Sequence, residues 1–524
     1  MSRQRTSTPD VLVVGGGLVG LTACLLLRRH EVAVTLVEKR ATTSAQPKAR
    51  RLHMRSMEIF RELGLAGLVN EAARDLAGHD HMAAGPTLAD AEQLPLWEAG
   101  GAGGPISQPS PELPCLLSQD LLEPLLREAA TDAGVDVRFS TELTSFTECG
   151  DHVDARLIDH RDGRQYDLAA RYLVGADGAH SSTREMLGIT RSGNGFVGRP
   201  SVNVYFSADL AEVVRGREFN LCQITHPEAP GTLASVDGRR RWVFMSTGGN
   251  ADRDWPAVLR RALGVPALDL AVMSVLSWQP EMRVADRYSA GRVHLAGDAA
   301  HVMPPFAASG ANTGIADVHN LAWKLAAVLG GQASPGLLDS YDAERRPAGW
   351  FAADQSSRRT QQISDRLPPD PDLAHPYVLA AGGFQYTAGA LVPCAGSPCD
   401  PEPVTRFEPR GRVGTRVPHC WLDPGRTHST IDLAGPAWAL LTSCKPLPLT
   451  VTVGSPRIDV HQLSEVAFLG PGDLILLRPD QIVAWRGTSP SAALTALHAI
   501  LDARPQAAGA PSGQSRHISS GRPK

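Results

Sequence analysis

The chain has 524 residues; at about 150 residues per ordinary domain that predicts three or so domains rather than one. Hydrophobic residues make up 43% and charged residues 20%, which supplies ample core. The 51 basic against 55 acidic residues give a net charge of −4, which argues against a chain built chiefly to bind nucleic acid. Gly (50) and Pro (40) make the chain loop-rich without a collagenous or broadly disordered character.

Eight cysteines are scattered at 24, 115, 149, 222, 394, 399, 420 and 444 with no C-x-x-C pair. They read as reduced thiols of a cytoplasmic protein, not as a disulfide framework or a metal site. The N-terminus is basic, but its apolar run stops at three glycines with no cleavage signal, and no stretch approaches the roughly 18 apolar residues of a membrane span.

The first predicted unit is βαβ. Val11 to Val14 form a β-type run that enters Gly15-Gly16-Gly17-Leu18-Val19-Gly20. An apolar helical segment follows to about Arg29, and a second β-rich run, Val32 to Val37, ends at Glu38-Lys39. G-x-G-x-x-G alone is weak, but here it follows a strand, opens a helix and is followed by an acidic residue at a second strand end. Gly15 permits the tight turn, Gly17 lets backbone amides approach a pyrophosphate, and Gly20 lets helix and strand pack closely. The helix N-terminus offers free N–H groups and positive dipole charge to phosphates, and Glu38 would accept from an adenosine ribose. These residues alone leave FAD and NAD open, while the acidic residue disfavours the 2′-phosphate of NADP.

Amphipathic helices are predicted at 56–64 (Met57, Phe60 and Leu63 inward) and 118–128 (Leu121, Leu122 and Leu125 inward), with a Pro/Gly-rich loop at 83–114 between them. A strand-like run then meets Asp177-Gly178, followed by Ser181 and Arg184. Residues 200–285 alternate and break at Gly or Pro, as strands of an antiparallel sheet do. Val293 to Ala296 form a short strand ended by Gly297-Asp298. After Pro304-Pro305 a helix is expected from about Asn312, with Ile315, Val318, Leu321, Ala322 and Leu325 facing a core. Residues 390–405 read as a linker. Beyond it, GRVGTRVPHCWL, STIDLAGPAWALL, PLTVTV and LILLRPDQIVAWRG read as short strands with helical pieces between, and the tail from Arg504 lacks apolar content.

With Gly15/Gly17/Gly20, Asp177-Gly178 (plus Ser181 and Arg184) and Gly297-Asp298 (plus Pro304) in this order, the chain resembles the class A flavoprotein monooxygenases, the single-component FAD-dependent aromatic hydroxylases. The resemblance implies an α/β protein. It would have a discontinuous Rossmann-like FAD-binding domain (1–82, 105–195 and 286–390) and an antiparallel-sheet substrate-binding domain (83–104 and 196–285). A thioredoxin-like C-terminal domain (400–503) and a disordered tail (504–524) would follow. It places Asp298 against the FAD ribityl or pyrophosphate and aims the helix near Gly310 and Asn312 at the isoalloxazine. It puts Gln119 on the FAD and gives Asp177 and its neighbours to FAD and the nicotinamide approach together. Leu18, Val19, Lys39 and Arg50 complete the expected cofactor contacts. Two departures stand out: Ala307-Ala308-Ser309 replaces a glycine-rich stretch, and Pro47-Lys48-Ala49-Arg50-Arg51 stands where P-R-A is common, so that Arg50 and Arg51 are expected nearest the flavin.

By the same resemblance, NADPH or NADH reduces FAD transiently, O₂ adds at flavin C4a, and the hydroperoxide hydroxylates an electron-rich aromatic ring. The 83–114 loop, Ser429–Leu433 and Arg478–Arg486 resemble hydroxylases of polycyclic aromatic polyketides of the anthracycline, angucycline and tetracycline type. The alternatives are a simple phenol hydroxylase, an antibiotic-inactivating or Baeyer–Villiger monooxygenase of the same fold, and a redox-silent FAD-binding partner protein. A halogenase is disfavoured because its W-x-W-x-I-P element is missing. No catalytic base is assigned: His53, His79, His81, His226 and His301 are the titratable candidates, and each reads first as structural or surface. The partners are then a small aromatic substrate and O₂, with no membrane span and the oligomeric state open, a dimer included.

Overall fold

A computed structural model describes residues 8–94, 108–248, 251–365, 367–368, 370–374, 378, 380–393, 409–443, 456–463 and 466–503. Its centre is a six-stranded sheet in the order Ser289–Ala290, Val293–Leu295, Tyr172–Gly175, Val11–Val14, Val34–Glu38 and Asp136–Phe139. All pairings are parallel except the outermost, between Ser289–Ala290 and Val293–Leu295. Parallel strands are covered on both faces, and accordingly every residue of Val11–Val14 and Val34–Glu38 is buried, without alternation. The helices Leu18–Arg29, Gln119–Asp132 and Ser309–Leu329 pack together on one side. On the other side a meander of Thr141–Cys149, His152–Asp159 and Arg164–Ala170 lays Leu143, Val153, Ala155 and Leu157 against Leu12, Val14 and Val37.

The helix Ser309–Leu329 starts three residues before the expected Asn312. It is buried nearly all round: Ile315, Val318, Leu321, Ala322 and Leu325 are joined in the interior by Asp317, His319, Asn320 and Lys324. A search for an apolar stripe sees only half of this helix. Its polar half meets charges carried by the helices Met54–Glu62 and Asp339–Ser364.

A second sheet of seven strands runs Ala271–Trp278, Ser201–Ser207, Arg241–Thr247, Gly231–Ser235, Leu221–Ile224, Met82–Gly85 and Glu92–Gln93. The helix Trp255–Leu263 covers one face through Val202, Val204, Phe206, Leu233 and Phe244. The expectation of a wholly antiparallel sheet needs one correction: Met82–Gly85 runs parallel to Leu221–Ile224. That strand arrives from a distant part of the chain, so no hairpin fixes its direction. The same strand and Glu92–Gln93 give structure to part of the 83–114 stretch read as a loop; residues 95–107 lie outside the described residues.

The C-terminal part carries a four-stranded sheet, Ile458–Gln462, Trp438–Thr442, Leu474–Leu477 and Val483–Gly487, flanked by the helix Pro490–Leu501. STIDL, read as strand, is instead the short 3-10 turn Thr430–Leu433. Ser429 Oγ accepts from the Ile431 N–H at 3.2 Å and Asp432 accepts from the Ser429 N–H at 2.8 Å, and this reciprocal cap overrides the β propensity. Residues 411–422 likewise contribute isolated bridges (Arg416 with Ile482, Trp421 with Ser429), not a strand. The PLTVTV run, the Cys394 and Cys399 linker and the tail from Arg504 lie outside the described residues.

Trp438 meets Trp323 edge-on, with ring centroids 5.6 Å apart, which seats the C-terminal sheet against the Ser309–Leu329 helix. Below that contact Arg478 is fully buried and donates to both Glu344 oxygens, at 2.7 and 2.9 Å, while Lys324 donates to Glu344 at 2.9 Å. Among the described residues no helix is long and apolar enough to cross a membrane.

Candidate active site

The glycines of the first motif act as their spacing predicts. Gly15 has φ +110, and a Cβ there would lie 2.3 Å from Ala176 O, so the first motif rests directly against the second. A Cβ on Gly20 would lie 1.9 Å from Gly15 O, which fixes helix against strand. Gly17 is different: a Cβ there would meet only Glu123 Oε1, at 3.5 Å, leaving room beside the helix N-terminus. Glu38 ends its strand buried, accepting from the Gly16 N–H at 2.8 Å and the Arg40 N–H at 2.9 Å. Lys39 beside it is exposed.

Sequence reading missed Glu123. Its Oε1 accepts from the Leu18 N–H at 3.0 Å and from Gln119 Nε2 at 2.6 Å, and its Oε2 from the Ser44 N–H at 2.8 Å. A carboxylate thus sits on the positive end of the Leu18–Arg29 helix. The available signal was its place one turn after Gln119 on an otherwise apolar helix face. Gln119 itself exchanges backbone and side-chain hydrogen bonds with Ala49, at 2.7 and 3.4 Å, which ties the Lys48-Ala49 loop to this helix.

The second motif is self-contained. Asp177 accepts from Ser181, Ser182 and Thr183, the last through its N–H and its hydroxyl, both at 2.9 Å, and so caps the short helix Ser182–Met186. Gly178 makes the turn with φ +86. Arg184, buried and not at a surface, donates to Ala299 O at 2.9 Å and Ala179 O at 3.2 Å, lashing the second motif to the third.

The third motif meets the first at Val19. A Cβ on Gly314 would lie 2.6 Å from Val19 Cγ2 and 2.9 Å from Gly297 Cα, so three separate parts of the chain close on one point. Asp298 follows, its side chain open to solvent yet with enough protein about it to desolvate the carboxyl. That desolvation raises its carboxyl above the usual range, while His301 and Lys48 pull it back down. Lys48, not Arg50, is therefore the cation of the 47–51 segment whose field reaches Asp298. The Arg50 guanidinium turns away to the seven-stranded sheet, where it donates to Ser235 O and to Asn220 Oδ1.

Asn312 is wholly engaged by protein. Its Oδ1 accepts from the His53 N–H at 2.7 Å and Ser56 Oγ at 2.6 Å, and its Nδ2 donates to Arg51 O at 3.0 Å and Ala308 O at 2.7 Å. It positions the Arg51–His53 segment and has no donor to spare for a ligand. Gly310, by contrast, would carry a Cβ with nothing nearer than Met303 Cγ at 3.7 Å. The first N–H groups of that helix have no side-chain cap. Ala308, just before it, adopts φ +52, a left-handed conformation that suits the glycine absent here.

Among the candidate histidines, His301 is fully buried against Asp317 at 2.7 Å, His53 begins the Met54–Glu62 helix, His79 is buried, and His81 and His226 bond locally near the surface. Of these, His301 acts on Asp298 through its charge, while its Nε2 is held by Asp317.

A glycine-lined N-terminus with Glu38 at the adjoining strand end, an accessible Asp298 and an uncapped helix at Gly310 fit one elongated ligand with a ribose, a pyrophosphate and a planar ring. Residues 8–356 match the family model of the FAD-binding domain, and residues 410–505 match that of the aromatic-ring hydroxylase C-terminal domain. The chain belongs to the FAD-dependent aromatic-ring hydroxylases. It is 39% identical to a putative polyketide hydroxylase of Streptomyces halstedii, over 92% of this chain and 93% of that one. It is 38% identical to the tetracenomycin B2 monooxygenase-dioxygenase of Streptomyces olivaceus, over 91% and 94%. A solved ternary complex of aklavinone-11 hydroxylase with FAD and aklavinone superposes with a TM-score of 0.75 at 30% identity, covering 96% and 100%. As a member of this family the protein is an FAD-dependent monooxygenase acting on an aromatic ring.

Proposed function

We propose that this hydroxylase acts on a polycyclic aromatic polyketide phenol. The observation that carries the reading is the full-length likeness to tetracenomycin and aklavinone enzymes. The Rossmann-like and thioredoxin-like descriptions, the domain limits and a cytoplasmic location belong to the same proposal.

When bound, FAD supplies acceptance of a hydride from NADPH or NADH and activation of O₂ for transfer of one oxygen atom to a ring carbon. The chain's own residues hold it. Gly15, Gly17, Leu18, Val19 and Gly20 would give the phosphates a close backbone approach, with Glu123 yielding the Leu18 N–H it now accepts from, Glu38 would take the ribose, Asp298 would hold the ribityl chain, and the N–H groups at Gly310 would serve the ring. Burial raises the Asp298 carboxyl above its usual range, and His301 and Lys48 partly offset that rise. Asn312, Gln119, Asp177 and Gly178 position the segments that do the touching.

Asp298→Ala should purify with markedly less flavin and a weaker FAD affinity, read by absorbance and by fluorescence titration of apoprotein. Undiminished flavin content would refute the role. NADPH oxidation that rises with none of a panel of tetracyclic phenols, but rises with a single-ring phenol, would move the substrate reading to the simpler class.

A further inference from the structure

A guanidinium carries five N–H donors and stays charged in proteins. That of Arg50 makes two hydrogen bonds, to the Ser235 carbonyl and, at 3.3 Å, to Asn220 Oδ1; both acceptors are neutral. Among the described residues Arg50 has no carboxylate within 4.0 Å. Arg241, on the strand that pairs with that of Ser235, shows the ordinary arrangement: it pairs with Asp120 at 3.0 Å and Asp237 at 3.0 Å. The nearest charge acting on Arg50 is a like one, Arg51, and burial followed by that repulsion pushes the guanidinium down to about 10.

A half-buried charge with donors to spare and no counterion is costly to the folded chain. It is held here between the loop that ties to Gln119 and the seven-stranded sheet, one of whose faces buries Tyr205, Ala234 and Val243, with Leu221 and Met245 partly buried beside them. The guanidinium thus stands at the junction of that loop and that sheet with donors left for an anionic ligand. The nucleotide-holding glycines and Glu38 lie at the first strand ends, whereas Ser235 lies on another sheet and Asn220 just before a strand of it.

We propose that Arg50 determines substrate specificity by pairing with an oxyanion of the aromatic substrate, a phenolate or carboxylate oxygen at its ring edge. The proposal rests on the aromatic-hydroxylase reading above. Bidentate pairing would orient the ring, and an ionised phenol is the more electron-rich partner for oxygen transfer.

The test uses FAD-loaded enzyme and two probes with one ring system: 2-hydroxy-1,4-naphthoquinone, ionised at neutral pH, and its neutral O-methyl ether. Binding is read by perturbation of the flavin spectrum. Wild type should prefer the anion by about tenfold or more, as a charge-assisted hydrogen bond supplies. Arg50→Met should bind both alike, with the ether's affinity and the FAD affinity unchanged. An Arg50→Met enzyme that keeps the anion preference overturns the proposal. So does one whose FAD affinity, measured on apoprotein, falls about tenfold, because the counterion would then be the cofactor's phosphate. If wild type holds FAD but binds neither probe, the aromatic-substrate reading falls first and the proposal with it. Removing an uncompensated charge should leave the thermal midpoint equal or higher; should Arg50→Met not fold, Arg50→Gln is read by the same criteria.

Discussion

The Asp317 carboxylate accepts a hydrogen bond from the Gly297 N–H at 3.1 Å, twenty positions earlier in the chain. The same oxygen accepts from His301 Nε2 at 2.7 Å, and the other takes Arg345 Nε at 2.8 Å. Burial alone would raise this carboxyl, but His301 and Arg345 outweigh it and hold it below the usual carboxylate range. A buried anion thereby fixes the turn that presents Asp298.

Asp317→Asn should cost about 3–5 kcal/mol of folding stability, because Arg345 and His301 lose a buried counter-charge. It should also lower flavin retention by releasing Gly297. Urea unfolding and the flavin-to-protein absorbance ratio check both effects, and an unchanged unfolding midpoint would rule out the anchoring role.

Ala308 holds φ +52 at the entrance to the Ser309–Leu329 helix, and Asn312 fastens its carbonyl there. An L-residue pays about 1 kcal/mol in this region, so Ala308→Gly should stabilise the protein by up to that amount, and Ala308→Val should destabilise it by more. Chemical denaturation of the pair decides; a Gly variant less stable than wild type would mean that loop entropy outweighs the relief of strain.

The motifs and the parallel sheet could be read from the chain because each is local. Gly15, Gly17 and Gly20 carry their reason within one turn, and Val11–Val14 is buried on both faces and so reads as an unbroken apolar run. What escaped depends on partners far away in sequence. Glu123 reaches back 105 positions to Leu18, and Asn312 reaches 259 to His53. Arg50 and Lys48 look interchangeable in a cationic loop; only the folded chain shows that one turns to Asn220 and the other lies within the field of Asp298. The side chain of Asp177 is engaged by Thr183, and that of Asn312 by Arg51 and His53. The STIDL turn shows propensity yielding to a capping interaction whose Ser and Asp were visible all along.

Arg478 is the keystone of the C-terminal interface: it is wholly buried between Glu344 and Asp480, with Lys324 on the far side of Glu344. Arg478→Met would leave two buried carboxylates facing one ammonium. The expected loss is about 3–5 kcal/mol, well above that of a surface ion pair. Loss of a single cooperative unfolding transition, followed by tryptophan fluorescence, should accompany it, since Trp323 and Trp438 meet at this interface. A variant with wild-type midpoint and cooperativity would show that the cluster contributes no net coupling.

His294 sits in the strand Val293–Leu295, fully buried, with Ser289 Oγ at 2.8 Å from its Nδ1. Burial depresses its pKa to about 4, against about 6.5 for a histidine in an unfolded chain. Below pH 6.5 the unfolded state therefore takes up a proton that the folded state refuses until pH 4, and protons bound by the unfolded state favour unfolding. The contribution is present in full above pH 6.5 and is lost as pH falls from 6.5 towards 4. His30 and His419, also held at about 4, act in the same window and sense. Stability measured by urea at pH 7, 6 and 5 should decline for wild type, and His294→Asn should decline less steeply, by up to about 1.4 kcal/mol per pH unit for the one proton removed. Equal slopes in the two proteins would mean that His294 is protonated in the fold as readily as out of it.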